Sequence, residues 1–488
     1  MLSLTTPNLW PILSRKQLDQ LNVNSEKLKL KLKVYFPWDN EYNSKRTYFS
    51  IRIQQRPLFI VFPESNQQLE YILNYITRKK LTVRFMNGRH STQLSSSQVL
   101  IDTTYFNQVK IKENYIKVGG GCTQGKVNEI LFNHHIKNIH SHFGHFCHPK
   151  NHLRDLFPGG SAASVGISGI STAGGIGILI RTYGPTIDSI ISFTITIPPS
   201  LNESSKTIIV DENNYQDLFW ALRGGGAADF GIISNINYKI LYVPRIIEYE
   251  MTFDWDKAIE ALDKWQLTSI HRPNNFNEDI TINKINNVNT ISLGGHYVML
   301  DNEIYEDAIL KIKNQLKILG GSLIINKSIS YQRLYRKLVV DRSYFNFSII
   351  QAFFTNIIDS KRIINFFNNN SLIKCGISFQ LLGGVMKNVL SSECAFYPRN
   401  YNFFVDIYVQ WNNEIDSQES NHWCNQITNH FLNNKRNIMY VGFPLTFTDT
   451  GSHNSTLYFG KNNEKLKLIK EKYDPLHVLN QCGIISKN

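Results

Sequence analysis

The sequence predicts an α+β protein of two unequal domains, and three observations carry that prediction. Strand and helix signals are mixed through roughly the first 240 residues, with glycine-rich turns between them. Far downstream, YNFFVDIYVQW (401–411) alternates apolar and polar residues, the pattern of a sheet strand with one buried face. The length, 488 residues, exceeds what one hydrophobic core ordinarily serves. Hydrophobic residues make up 42% and aromatics 12% of the chain, enough to fill a sizeable interior.

Taken in order, PLFIVFP (57–63) is a continuous apolar run bounded by prolines and reads as a buried strand. SNQQLEYILNYITRKK follows, with Ser65 and Gln68 at capping-box spacing. Leu69, Ile72, Leu73 and Ile76 fall on one helical face, and Arg78, Lys79 and Lys80 stand at the C-terminal end, where cations are favoured. LTVRF is the next strand. VLIDTT, the hairpin VKIKENYIKVGGG and SIISFTITI are further strands, the last with Ile191, Phe193, Ile195 and Ile197 in alternation.

Charge and cysteine usage remove several function classes. The 52 Lys+Arg exceed the 39 Asp+Glu by 13, a balance that favours anionic partners such as nucleic acid, a membrane surface or a phosphorylated cofactor. The basic residues are scattered and carry no zinc-finger or helix-turn-helix spacing, so no nucleic-acid partner is expected. Six cysteines lie far apart without a CxxC pair, which is neither a disulfide framework nor a zinc site. HSHFGHFCH groups His140, His142, His145 and His148 without a carboxylate among them and reads as a loop rather than a metal centre. No stretch approaches the ~18 consecutive apolar residues of a membrane span. The N-terminus lacks a charged start followed by an unbroken apolar stretch, so a soluble intracellular protein is expected.

Three windows concentrate glycine: GGGCTQG (119–125), FPGGSAASVGISGISTAGGIG (157–177) and LRGGGAADFG (222–231). Glycine lets backbone N–H groups approach a ligand closely, and successive N–H groups form anion-binding concavities. With Ser161, Ser164, Ser168, Ser171 and Thr172 interleaved as donors, the windows point to a large phosphate-bearing ligand wrapped by loops. Their spacing is not the GxGxxG of a dinucleotide-binding Rossmann unit.

The order of these motifs resembles a known family. The RxxxGxHS turn, VLIDTT, GGGCTQGKV, FPGGSAASVGISG, GGIG, RTYGPTIDSI, DLFWALRGGG and DFGII look like the FAD-binding domain of the vanillyl-alcohol oxidase superfamily. YFGKNNEKLKLIKEKYDPLHVL (458–479) resembles the closing segment of its berberine-bridge-enzyme-like members. The resemblance implies a two-part PCMH-type FAD-binding domain with an inserted substrate domain of antiparallel sheet plus helices. The boundaries implied are an N-terminal extension (1–50), the FAD-binding region (51–240), the substrate domain (241–440) and a C-terminal segment packing back on the FAD domain (441–488).

That resemblance gives RFMNGRHSTQ (84–93) a meaning. In the family the histidine of this turn bonds the 8α-methyl of the flavin, and His90 occupies its position. A neutral imidazole offers a nucleophilic nitrogen for such a bond. Arg89 stands where the family has a second glycine, its side chain facing a phosphate or solvent. Ala162 stands where many members carry the cysteine of a second flavin bond, so a single covalent link is expected. Asn87, Gly88, Arg89 and Ser91 on one side, and Gly160, Ser161, Ser164, Gly166 and Gly169 on the other, would line the diphosphate. Phe230, Gly231 and Ile232 would run along the adenosine or dimethylbenzene region. Val165 matches a position beside the reactive flavin carbon where valine accompanies oxidases.

On the substrate side, Phe403, Val405, Ile407, Val409 and Trp411 form the apolar face of the alternating strand, and Phe404, Asp406, Tyr408 and Gln410 the other. Asp406 and Tyr408 are the candidates for the base that takes a substrate proton. Pro398 stands where relatives have a histidine in an Ala-Phe-Pro-His-Arg stretch, so that histidine's role is absent. The expected activity is an FAD-dependent oxidase acting on a small CH–OH or C–N substrate, an alcohol, sugar or alkaloid, with O2 as acceptor and H2O2 as product. The alternatives are a dehydrogenase of the same fold using another acceptor, or a flavin-binding protein whose catalysis has decayed.

Overall fold

Ser65 starts the first long helix for a local reason. Its side-chain oxygen accepts from the N–H of Gln68 at 3.3 Å, and Gln68 Oε1 reaches back to the N–H of Glu64 at 2.6 Å. This is a capping box whose return bond falls one residue early. The structure is a computed structural model that describes residues 30–48, 56–90, 97–141, 154–160, 162–226, 229–242, 245–326, 347–443, 455–479 and 485. Helix α1 (Asn66–Arg78) buries Leu69, Ile72, Leu73 and Ile76, as the spacing predicts. Its stripe packs on a four-stranded sheet ordered β1 (Lys33–Tyr35), β2 (Phe59–Phe62), β4 (Val99–Asp102), β3 (Val83–Met86). Strand β4 runs parallel to β2 and β3, and β1 is antiparallel to β2.

A second, antiparallel sheet follows. It is built from β5 (Val109–Ile111), β6 (Tyr115–Gly119), β8 (Ile190–Ile197), β9 (Lys206–Asp211) and β10 (Ile232–Lys239), in the order β5-β6-β10-β8-β9. Between β6 and β8 run helix α2 (Gln124–Ser141), β7 (Arg154–Leu156) and helix α3 (Ile167–Ala173), and α4 (Gln216–Leu222) precedes β10. Strand β7 pairs with β11 (Leu241–Tyr242).

The third sheet has eight strands. In chain order they are β12 (Ile246–Phe253), β13 (Phe276–Ile285), β14 (Val288–Val298), β15 (Ser322–Ile325), β16 (Phe347–Thr355), β17 (Lys374–Leu381), β18 (Phe403–Trp411) and β19 (Ile438–Met439). Their order across the sheet is β15-β12-β14-β13-β17-β18-β16-β19, antiparallel throughout. On β18 the period of two is realised: Phe403, Val405, Ile407, Val409 and Trp411 are buried in the main core. Trp265 of helix α5 (Ala258–Ser269) packs on Phe403 with ring centroids 5.2 Å apart, and Trp423 and Ile427 belong to the same core. Each such side chain contributes roughly 1.5–3 kcal/mol by leaving water. On the opposite face Phe404 is buried, while Asp406, Tyr408 and Gln410 are half-buried and polar.

Buried charges lock this sheet to the glycine-rich loop. The Arg181 guanidinium donates to the carbonyls of Phe276 at 2.8 Å, Arg272 at 2.7 Å and Leu382 at 2.5 Å, which ties β13 to the loop after β17. Arg399 grips Asp188 with two bonds of 2.7 Å. The chain end then returns to the first half. In helix α6 (Asn463–Tyr473), Lys472 and Tyr473 hold Asp217 at 2.6 and 2.8 Å, and buried Lys470 donates to the Asp229 carbonyl and to Asp474. Asp474 in turn accepts the N–H groups of Val478 and Leu479 at 2.8 Å. Among the described residues, no helix is long and apolar enough to cross a membrane.

Candidate active site

The turn after β3 and the loop before α3 are pressed together. A Cβ placed on Gly88 would lie 2.2 Å from the Gly166 nitrogen and 2.6 Å from the Ser164 carbonyl oxygen, so only a bare backbone fits there. Asn87 fixes the turn from below, donating from Nδ2 to the carbonyls of Gly120 (2.6 Å) and Cys122 (3.3 Å). His90 Nε2 then reaches the Ser164 hydroxyl at 2.5 Å. The structure therefore brings Asn87, Gly88, His90, Ser164 and Gly166 into one cluster. Half-buried Val165 sits at its centre, its carbonyl held by the N–H of Gln124. Gly169 faces open space, with nothing within 4 Å of where a side chain would begin. Ser91 and Ser161 lie outside the described residues, as do His142, His145 and His148. Among the described residues no group of three His, Cys, Asp or Glu could hold a metal ion.

Arg89 departs from the expectation. Its backbone is left-handed, with φ at +62°, a conformation that favours glycine and costs another residue roughly 1–2 kcal/mol. The side chain, still 23% exposed, turns back on the protein. It pairs with Asp102 at 2.9 Å and donates to the carbonyls of Ser44 and Thr47. Asp102 is wholly buried and also accepts from the N–H and hydroxyl of Thr104, so the guanidinium neutralises a charge that would otherwise be stranded.

Two of the three glycine windows also do different work from that expected. The N–H groups of Gly119, Gly120 and Gly121 go to the carbonyls of Gln108, Ser234 and Phe106, and that of Gly125 to Ala163. Gly225 and Gly226 donate to Ala221 and Thr172. A Cβ on Gly121 would sit 1.8 Å from the Thr103 carbonyl, so these glycines permit backbone-on-backbone packing and cradle no anion. Ser168, Ser171 and Thr172 likewise spend their hydroxyls on Gly120, Tyr238 and Ser168. Phe230, Gly231 and Ile232 lead into β10 and are buried, Phe230 at 0% exposure. Beside the 157–177 window, Asn87 Oδ1 and Gln124 Oε1 are buried without partners. These orphaned acceptors, the Gly88–Gly166 approach and the opening at Gly169 fit a large cofactor laid across the turn.

The far end of the same loop meets the eight-stranded sheet. Gln380 donates to the Gly177 carbonyl at 2.7 Å, and the buried Tyr440 hydroxyl is hydrogen-bonded to the Gly175 backbone and feels the charge of Asp406. Around this point Asp279, Thr281 and Asn283 of β13, Ser378 and Gln380 of β17, and Asp406 and Tyr408 of β18 share one half-buried face. Tyr408 donates to Asn283 Oδ1, and burial pushes its hydroxyl up to about 12. Burial, and then the neighbouring Asp279, push the Asp406 carboxyl up to about 7, and its Oδ1 is sealed without a partner. Burial raises Asp279 to about 6. The sequence singled out Asp406 and Tyr408 as candidates; Asp279, Asn283 and Gln380, which share their face, and Tyr440 were not among them. The alternation of Asp279, Thr281 and Asn283 in FNEDITINKI was the available signal.

Comparison with known proteins agrees with this architecture. Residues 57–142 match the model of an FAD binding domain, and residues 440–481 match the berberine and berberine-like family model. The uncharacterised FAD-linked oxidoreductase YgaK of Bacillus subtilis is 23% identical over 468 residues, spanning 93% of this chain and 96% of its own. Glucooligosaccharide oxidase of Sarocladium strictum is 23% identical over 469 residues, spanning 88% and 87%. Among solved structures, berberine-bridge-like protein 1 of Physcomitrella patens superposes with a TM-score of 0.79 at 18% identity, covering 96% of this chain and 99% of its own. Glucooligosaccharide oxidase of Acremonium strictum, described with a 6-S-cysteinyl, 8α-N1-histidyl FAD, gives 0.76 at 20% identity, covering 94% and 98%.

Proposed function

We propose that this FAD-linked oxidoreductase, which carries the FAD-binding domain and closing segment of the berberine-bridge-like flavoproteins, is an oxidase that dehydrogenates a CH–OH group of a polyhydroxylated substrate. One observation carries the reading: the 157–177 loop touches the His90 turn at Ser164 and Gly166, and the polar face of the eight-stranded sheet and its neighbour Tyr440 at Gly177 and Gly175. A cofactor held at one end would thus have its reactive edge presented to the other.

Bound FAD would accept hydride from the substrate carbon and pass the electrons to O2, releasing H2O2. The protein's residues do the rest. His90 would carry a single covalent bond to the flavin, held in place by the Ser164 hydroxyl, since Ala162 offers no sulfur for a second. Asn87, Gly88, Gly160, Ser164, Gly166 and Gly169 would border the diphosphate. Asp406, ionised above about pH 7, would take the hydroxyl proton as hydride leaves. Tyr408, oriented by Asn283, would hold the substrate hydroxyl. The small Val165 side chain leaves space for O2, which favours an oxidase. The carboxyl, hydroxyl and amide groups of that sheet face suit a sugar, and a glucooligosaccharide oxidase is among the relatives.

The test is a peroxidase-coupled H2O2 assay of the purified protein over mono- and oligosaccharides and simple alcohols, with Asp406→Asn beside the wild type. The reading expects peroxide from at least one sugar and loss of flavin reduction in the variant. Flavin that is reduced by substrate but reoxidised only by an artificial acceptor would make the protein a dehydrogenase instead.

A further inference from the structure

Asp279 stands two strands away from Asp406, yet the two carboxyls belong to one connected face. Register places Thr281 opposite Ser378, and Ser378 opposite Asp406. Thr281 Oγ1 lies 3.2 Å from Asp279 Oδ2 and 3.1 Å from Ser378 Oγ. Directly opposed residues hold their Cβ atoms about 4.5–5.5 Å apart, the spacing at which Ser378 faces Asp406 across β17 and β18. All four residues are half-buried and lie on the same face of the sheet.

The ionisable groups facing Asp406 are Asp279 from β13, Tyr408 on its own strand and Tyr440 just beyond β19. Neither carboxylate has a cationic partner among the described residues. Glu278, beside Asp279, points to the other face, where Arg272, Tyr249 and Trp265 satisfy it. The pair is therefore two carboxyls on one sheet face with no counter-charge among the described residues, a setting in which ionisation of one opposes ionisation of the other.

We infer that Asp279 is a positioning residue for Asp406: anchored through Thr281 and Ser378, its negative charge raises the proton affinity of the carboxylate that receives the substrate's proton. The inference rests on the reading of Asp406 as the base. In that step the substrate O–H bond breaks and an Asp406 O–H bond forms, while the hydride takes the C–H electron pair to the flavin. The proton then leaves Asp406 for water after the product departs. The two titration steps belong to the pair, and the upper one, near 7, is the one that activity would follow.

Infrared difference spectroscopy of the holoenzyme between about pH 5 and pH 9 reads the protonated-carboxyl band directly, without a substrate. The wild type is expected to show a component titrating near pH 7 above a lower one from carboxyls near 6, and Asp406→Asn to lose the upper component alone. Asp279→Asn should move the midpoint down by roughly one pH unit, and Asp279→Glu should restore most of it. Thr281→Val, which cuts the bridge but keeps both carboxyls, should move it the same way by less, and it decides the matter if Asp279→Asn does not fold. An upper component near pH 7 that persists in Asp406→Asn would remove Asp406 as the base. A band lost in Asp406→Asn but unmoved in Asp279→Asn, or in Thr281→Val where that variant decides, would overturn the role given to Asp279.

Discussion

His90 and Ser164 are 74 positions apart in sequence, yet the imidazole Nε2 lies 2.5 Å from the serine hydroxyl. That contact joins the turn after β3 to the glycine loop before α3 and fixes the ring's orientation. Removing it by Ser164→Ala forfeits one hydrogen bond, about 0.5–1.5 kcal/mol. Covalent flavin attachment should slow roughly 3- to 10-fold, measured as acid-insoluble flavin against time after adding FAD to apoprotein.

The Gly88–Gly166 approach is the tightest test of the cradle. In Gly88→Ala a methyl group would sit 2.2 Å from a backbone nitrogen, which cannot yield as a side chain can. Overpacking of this kind costs roughly 1–3 kcal/mol or more. The variant is expected to purify with little flavin while its far-UV circular dichroism stays native. A normal ratio of 450 nm to 280 nm absorbance would contradict the cradle.

Asp406 makes stability depend on pH with a definite sign. Its folded value, about 7, lies above the ordinary carboxyl value of about 3.9. Below about pH 4 both states keep the proton and the residue costs nothing. Between about 4 and 7 the unfolded chain releases a proton that the folded chain keeps, so stability falls as pH rises through that window. Asp406→Asn should therefore stabilise the fold at pH ~8 by roughly 1–3 kcal/mol and leave it unchanged at pH ~4. Thermal melts at the two pH values check this.

Lys470 is the buried pin of the C-terminal return. Lys470→Met would leave Asp474 without its cation and the Asp229 carbonyl without its donor, in a region where both carboxylates are buried. Breaking such a cluster from one side costs about 3–5 kcal/mol. A fall in the urea midpoint is expected, together with loss of flavin, because the pinned segment packs on the domain that carries His90.

Much of this was legible in the chain because the signals were local. The Ser65 cap, the Leu69–Ile76 stripe and the Phe403–Trp411 alternation each follow from period and capping alone. The His90 turn was legible as well, through its position after a strand and its company of motifs. What stayed hidden depends on contacts between distant segments. Gly119–Gly121 looked like a phosphate cradle because sequence cannot say that Phe106, Gln108 and Ser234 consume their N–H groups. Arg89 looked free because its partner, Asp102, is reached only once β3 and β4 pair. Asp279 escaped notice because its neighbour on the sheet face lies 127 residues away, across two strand pairings.

The central claim is that His90 holds the flavin by one covalent bond, and acid precipitation of purified protein tests it most directly. Wild type should give a yellow washed pellet, and His90→Ala a colourless pellet with any flavin in the supernatant. A yellow pellet in His90→Ala, or wild-type flavin released entirely by acid, would contradict the account.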